Sequence, residues 1–233
     1  MDFVKLNCDK EQKRINCFEK TNQLINYAEN YIPVVADCSG LIELTCAGSN
    51  MFRGCFHPSP VFDLIVGNAK RGRKSKGNIR FDKISHRYFL NEDYQLAYIE
   101  TMHEGNVVHG ESLIYEQNKR IGITTGGGGD ILGICEEKFE NNQIISFAYL
   151  SYHEIAKGNV LCHLHWEEYK YDENGLCTCE FVSNYSPEYK PFTFSQYQFS
   201  VQNGMIISYT NSKGTQYSAS HKKRDATGEI YFI

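Results

Sequence analysis

Two short runs in this chain carry metal-ligand chemistry, Cys162-His163-Leu164-His165 and Cys177-Thr178-Cys179. Imidazole nitrogen and thiolate sulfur are the usual ligands of zinc. Asn174-Gly175 lies between them and is a strong hairpin signal, because both residues take φ > 0 cheaply. A two-residue turn there sets Cys179 opposite Lys170 and His165 opposite Asn184. The His pair and the Cys pair then point to opposite faces of the sheet. A three-residue turn brings them to one face but leaves Cys179 four strand positions from His165, about 13 Å along the strand. Neither register gathers four ligands, so the reading is surface His, core Cys and no bound metal or other cofactor. Thr124-Thr125-Gly126-Gly127-Gly128-Gly129-Asp130 could cradle a phosphate with its backbone N–H groups. A phosphate loop needs a helix N-terminus behind it, and Ile131-Leu132-Gly133-Ile134-Cys135 reads as a strand. A loop between strands is expected. The acidic pairs Glu136-Glu137 and Glu167-Glu168 place their members on opposite strand faces and read as solvated rims.

Asp37-Cys38-Ser39-Gly40-Leu41 resembles the nucleophile segment of NlpC/P60 cysteine peptidases. That resemblance implies Cys38 at a helix N-terminus, where the dipole favours its thiolate. The family's Gly-rich approach is replaced here by Tyr31-Ile32-Pro33-Val34-Val35-Ala36, and its His-Val-Gly-Ile-like strand is not found. His57, His103 and His109 are the available bases, none in that context. A cysteine without a positioned base is a weak nucleophile, so Cys38 reads as structural, with a cysteine hydrolase as the alternative.

The elements that would hold these residues are written plainly. Five times an apolar strand, a short polar turn containing Asn and a second apolar strand follow one another, with the turn Asn at 91, 118, 142, 174 and 203. Residues 193 to 201 alternate Tyr197, Phe199 and Val201 with Gln196, Gln198 and Ser200, the period of a half-buried strand. Sequential hairpins make an antiparallel meander; their uneven spacing of 24 to 32 residues argues against a strict solenoid. Upstream, residues 9 to 32 read as a helix capped by Asp9 and ended by Pro33. Its apolar stripe would be Ile15, Phe18, Asn22, Ile25, Ala28 and Ile32, with Lys10, Glu11, Lys13, Glu19, Lys20 and Glu29 outside it. Residues 67–78 hold Lys70, Arg71, Arg73, Lys74 and Lys76 among three Gly. They read as a solvated linker, since no aromatic residues interleave for base stacking. The expected organisation is a helix and loop region at 1–66, this basic linker at 67–78, and a serial-hairpin domain at 79–233.

The phrases Ser85-His86-Arg87-Tyr88-Phe89-Leu90-Asn91, Ser112-Leu113-Ile114-Tyr115-Glu116 and Glu168-Tyr169-Lys170-Tyr171-Asp172-Glu173-Asn174-Gly175-Leu176 resemble serial-hairpin proteins of Firmicutes whose texture is YD-repeat-like. That resemblance implies a β-rich bacterial protein and, by association with small β-rich proteins of this texture, a toxin's immunity partner.

Composition bounds the function classes. Aromatics make up 13% of the 233 residues, with 16 Tyr and 14 Phe against one Trp, which suits a strand-rich fold. A net charge of −4 gives no global field for nucleic acid or anionic lipid. The residues after Met1 form no apolar signal core, and no run approaches a membrane helix. Nine Cys are scattered without framework spacing and read as reduced thiols in a cytoplasm. The expectation is therefore an α+β, mainly β protein, an N-terminal helix packed on a large antiparallel meander, a twisted sheet that could curl. Its expected role is non-enzymatic protein binding, as a cytoplasmic immunity protein. The alternatives are a hydrolase built on Cys38 and a small-ligand-binding β-barrel.

Overall fold

The computed structural model describes residues 3–30, 38–48, 74–75, 84–155, 159–173, 175–185, 193–202 and 205–218. Helix α1 (Phe3–Glu29) is followed by twelve strands. These are β1 (Ile42–Ala47), β2 (Ser85–Leu90), β3 (Leu96–His103), β4 (Asn106–Glu116), β5 (Lys119–Gly126) and β6 (Ile131–Glu140). They continue through β7 (Gln143–Ile155), β8 (Asn159–Asp172), β9 (Gly175–Tyr185), β10 (Thr193–Gln202), β11 (Met205–Asn211) and β12 (Gln216–Ser218). All twelve form one sheet whose spatial order is the sequence order, and the pairings along it are antiparallel. The expected meander is the observed one. Among the described residues no ladder joins β1 to β12, so the sheet is open.

The turns show why neighbours in sequence pair. Asn141 and Asn142 take φ of 50° and 64°, the doubly left-handed turn whose twist matches antiparallel strands. Glu104 and Gly105 do the same at 51° and 80°. The turn residues Asn174, Asn203 and Gly204 lie outside the described residues; the pairs Asp172–Gly175 and Gln202–Met205 flank them. The first strand comes from the 1–66 region and pairs with β2. Within the basic segment, Lys74 bridges to Cys46 and Ser75 N–H donates to Thr45 O at 2.8 Å; Lys70, Arg71, Arg73 and Lys76 lie outside the described residues.

Alternation divides the sheet's side chains into two layers. On the helix side, Ile121, Ile123, Ile134, Ala148, Leu150 and Leu164 meet Cys17, Leu24 and Ala28 of α1. On the opposite side, Cys46, Tyr88, Ile99, Leu113, Cys135, Phe147, Tyr169 and Cys179 form a second buried cluster spanning β1 to β9. Gly133 belongs to this second layer. A Cβ there would lie 2.4 Å from the Tyr149 hydroxyl oxygen, so the tyrosine ring covers a position where only glycine leaves room.

The helix differs from its sequence reading in length and in rotation. It starts at Phe3, which puts Asp9 inside it rather than at its cap. The buried stripe is Cys17, Lys20, Thr21, Leu24 and Ala28, whereas Ile15 and Phe18 are 41% and 48% exposed and Asn22 is exposed too. The reason is an ion pair: the Lys20 ammonium donates to Glu136 Oε1 on β6, with both side chains buried. With Glu136 buried on β6, turning Lys20 out to solvent would leave that carboxylate without its cation, which is costlier than leaving a Phe in solvent. That pairing sets the helix's rotation.

Accordingly, Glu136→Ala, which strands the Lys20 charge, is expected to cost about 3–5 kcal/mol in urea unfolding. The double variant Lys20→Met/Glu136→Leu is expected to recover most of that. Leu24→Ala is expected to cost about 2–5 kcal/mol and Phe18→Ala less than about 0.5 kcal/mol. The opposite ranking of Leu24 and Phe18 would show that the helix is seated on its other stripe.

Candidate functional site

The residues that looked like a metal site are spread over both layers. The hairpin closes at the Asp172–Gly175 pair, so Gly175 begins β9 rather than sitting in the turn, and a bulge between Lys170 and Tyr171 then sets Cys179 opposite Tyr169, four positions from His165 along β8. Cys162 packs on the helix side, while His165 faces the other layer and meets Phe147 edge-on at 6.3 Å between ring centroids. The Cys177 side chain lies outside the described residues. Among the described residues no group of three or more His, Cys, Asp or Glu is arranged to hold a metal.

The glycine-rich run is the β5–β6 connection, followed by a strand. Gly126 N–H donates to Asp130 O at 2.8 Å and Gly129 N–H to Gly126 O at 2.9 Å. These two amides are thus committed to closing the turn. Cys38 opens a turn in which Leu41 N–H donates to Cys38 O at 3.2 Å, and the chain then enters β1. The helix N-terminus that the peptidase resemblance implies is here a turn leading into a strand. His57 lies outside the described residues. Cys135 is disulfide-bonded. The expectation of uniformly reduced thiols therefore fails at this position; Cys17, Cys38, Cys46, Cys162 and Cys179 are in no disulfide.

The acidic pairs depart most from their reading as solvated rims. Glu136, Glu137 and Glu167 are buried; only Glu168 is exposed. Beneath the helix Glu136 holds Lys20, whose pKa burial lowers and the Glu136 hydrogen bond raises in part. In the opposite layer Arg120 Nε–H donates to Glu137 Oε2 at 2.6 Å. Glu167 accepts from His165 Nε2–H at 2.8 Å and from the Tyr169 hydroxyl. Register explains the arrangement: Arg120 pairs with Glu137, Glu137 with Phe147, and Phe147 with Glu167. One row across four strands thus alternates charge, charge, ring, charge. The sequence displayed these carboxylates but not their partners, which lie 17 residues away for Arg120 and 116 for Lys20.

The cleft with binding chemistry lies between the first half of α1 and strands β8 to β10. Lys13, Asn16 and Cys17 of the helix face Trp166, Glu168, Glu180 and Phe194 around a volume of about 120 Å³. Strand alternation brings Trp166 and Glu168 to the helix side of β8, and the Glu180–Gln196 pairing extends that row into β10. Trp166 Nε1–H donates to Ser146 Oγ at 3.1 Å, which fixes the indole. The Lys13 ammonium sits 3.5 Å from the Phe194 ring centroid and 3.5 Å from Glu180 Oε2. Burial pushes the Cys17 thiol up to about 11, with Glu168 adding to the rise and Lys13 opposing it; the thiol is neutral at physiological pH. The walls therefore carry two carboxylates, one ammonium and two aromatic rings. Lys13 and Glu180 both reach solvent, so their ion pair contributes at most about 1 kcal/mol, and the cation–π contact a similar amount. The volume is well below the roughly 300–1,000 Å³ of small-molecule pockets and suits a single side-chain head group. Sequence reading missed this site because its residues come from four elements up to 181 positions apart; the lone Trp was its only advance signal.

No protein-family model matches the chain, and neither does any curated protein. No helix among the described residues is long and apolar enough to cross a membrane.

Burial raises Cys17 from 9.0 to about 11 and Tyr149 from 10.0 to about 12, with Glu111 adding to the latter. Both groups favour the neutral form when folded, so their stabilising contribution is complete below pH 9 and is lost as pH rises through about 11 to 12. Urea midpoints are expected to fall across that window, and Tyr149→Phe to flatten the upper part of the fall. A pH-independent midpoint there would mean that neither group is shielded.

Proposed function

We propose that this chain is a non-enzymatic protein-binding module that acts in the bacterial cytoplasm as an immunity protein, sequestering a toxin. The observation that carries the reading is the outward stripe of α1, where Ile15 and Phe18 are exposed one turn apart while Lys20 is turned inward. Single exposed apolar residues are ordinary. A helix that buries a lysine and presents an isoleucine and a phenylalanine offers a ready anchor for a partner. The net charge of −4 favours encounter with a basic partner.

The test is co-expression with the product of the adjacent gene. Expected outcomes are growth protection and co-purification, both lost in Ile15→Asp/Phe18→Asp at unchanged melting temperature. An adjacent product that is neither bound nor neutralised, or capture indifferent to the double substitution, removes the reading.

A further inference from the structure

We infer that the cleft walled by Trp166, Phe194, Glu168 and Glu180 is a cation-anchor site that receives an arginine side chain from a basic segment of the partner. The inference rests on the protein-binding reading and gives that partner its chemistry. The site already holds a cation, the chain's own Lys13. Its ammonium lies over the Phe194 ring and against Glu180, 3.5 Å from each, which shows that these walls accept positive charge. Two carboxylates against one ammonium leave the lining net negative, and the Cys17 thiol adds no charge at neutral pH.

A guanidinium suits the cleft better than the resident ammonium. Its plane stacks on aromatic faces, it is more weakly hydrated, and its fork can engage two carboxylates where a lysine engages one. Lys13 is 37% exposed, so it can swing into solvent and give up its place. The helix that supplies Lys13 also presents Ile15 and Phe18 on another side, so a partner lying along α1 could use both. An apolar occupant would draw nothing from the net negative lining, and the volume is small for a larger ligand.

The chain's only tryptophan lines the cleft, so its emission reports occupancy directly. Full-length protein is titrated with N-acetyl-arginine amide and with tri-arginine, and N-acetyl-citrulline amide serves as the neutral isostere. A saturable change in Trp166 emission is expected with the arginine ligands, weakening as salt rises. Lys13→Met, which removes the competing cation, is expected to tighten binding about tenfold. Glu180→Gln and Phe194→Leu are each expected to weaken it by about tenfold, with circular dichroism confirming that each variant is folded. No saturable change in Lys13→Met, or equal binding of the citrulline compound, overturns the assignment. Failure here alongside intact capture of the adjacent gene product would remove the cation site and leave the protein-binding reading standing. Arginine binding without such capture would do the reverse.

Discussion

Backbone pairing through consecutive turns is the constraint on which this molecule rests. A strand's N–H and C=O groups must find partners, and here the partner of each strand is its sequence neighbour, eleven times in succession. The tight turns make this the nearest available solution: Asn141-Asn142 and Glu104-Gly105 adopt the left-handed conformations that reverse the chain within two residues. Once that ladder is set, every side chain's face and cross-strand neighbours follow from it.

The two faces are then settled by different physics. On one, α1 lies over β6 and β8, its rotation governed by the buried Lys20–Glu136 pair rather than by its most hydrophobic stripe. On the other, aromatic residues and cysteines from β1 to β9 form a second buried layer, into which register places Arg120–Glu137 and His165–Glu167–Tyr169. Buried carboxylates appear in both layers, each with a specific donor, which gives the sheet's interior a polar specification beyond hydrophobic packing. The cleft at α1, β8 and β10 follows from the same helix placement: with Lys20 turned inward, Lys13 and Cys17 come to the side where Trp166, Glu180 and Phe194 wait.

Much of this was legible in the residues. The meander, the run of hairpins and the single N-terminal helix follow from local grammar: alternation at 196–201, Asn at the turns, helical spacing before Pro33. The separation of Cys179 from His165 was also within reach, because neither turn length gathered the ligands; the bulge between Lys170 and Tyr171 that sets the actual register was not. The helix's facing was not legible. Ile15 and Phe18 form the better apolar stripe, and nothing local reveals that a lysine in the middle of the helix will be neutralised by a glutamate 116 residues away. The same reasoning applies to Glu137 and Glu167. Alternation showed that adjacent acids face apart, yet whether each face is wet depends on what lies above it.

The sequence by itself determined the serial hairpins from β2 onward and their antiparallel order, because these are governed by interactions between residues close along the chain: turn conformation, side-chain period and ladder formation between neighbours. It did not settle β1, which joins β2 across the 37 residues between Ala47 and Ser85. Only the tertiary structure decided which charges are buried, which side of α1 meets solvent, and that Lys13, Trp166, Glu180 and Phe194 share one cleft. Those outcomes arise from desolvation and pairing between groups distant in sequence. Their free energies exist only after the sheet has formed and brought the partners within reach.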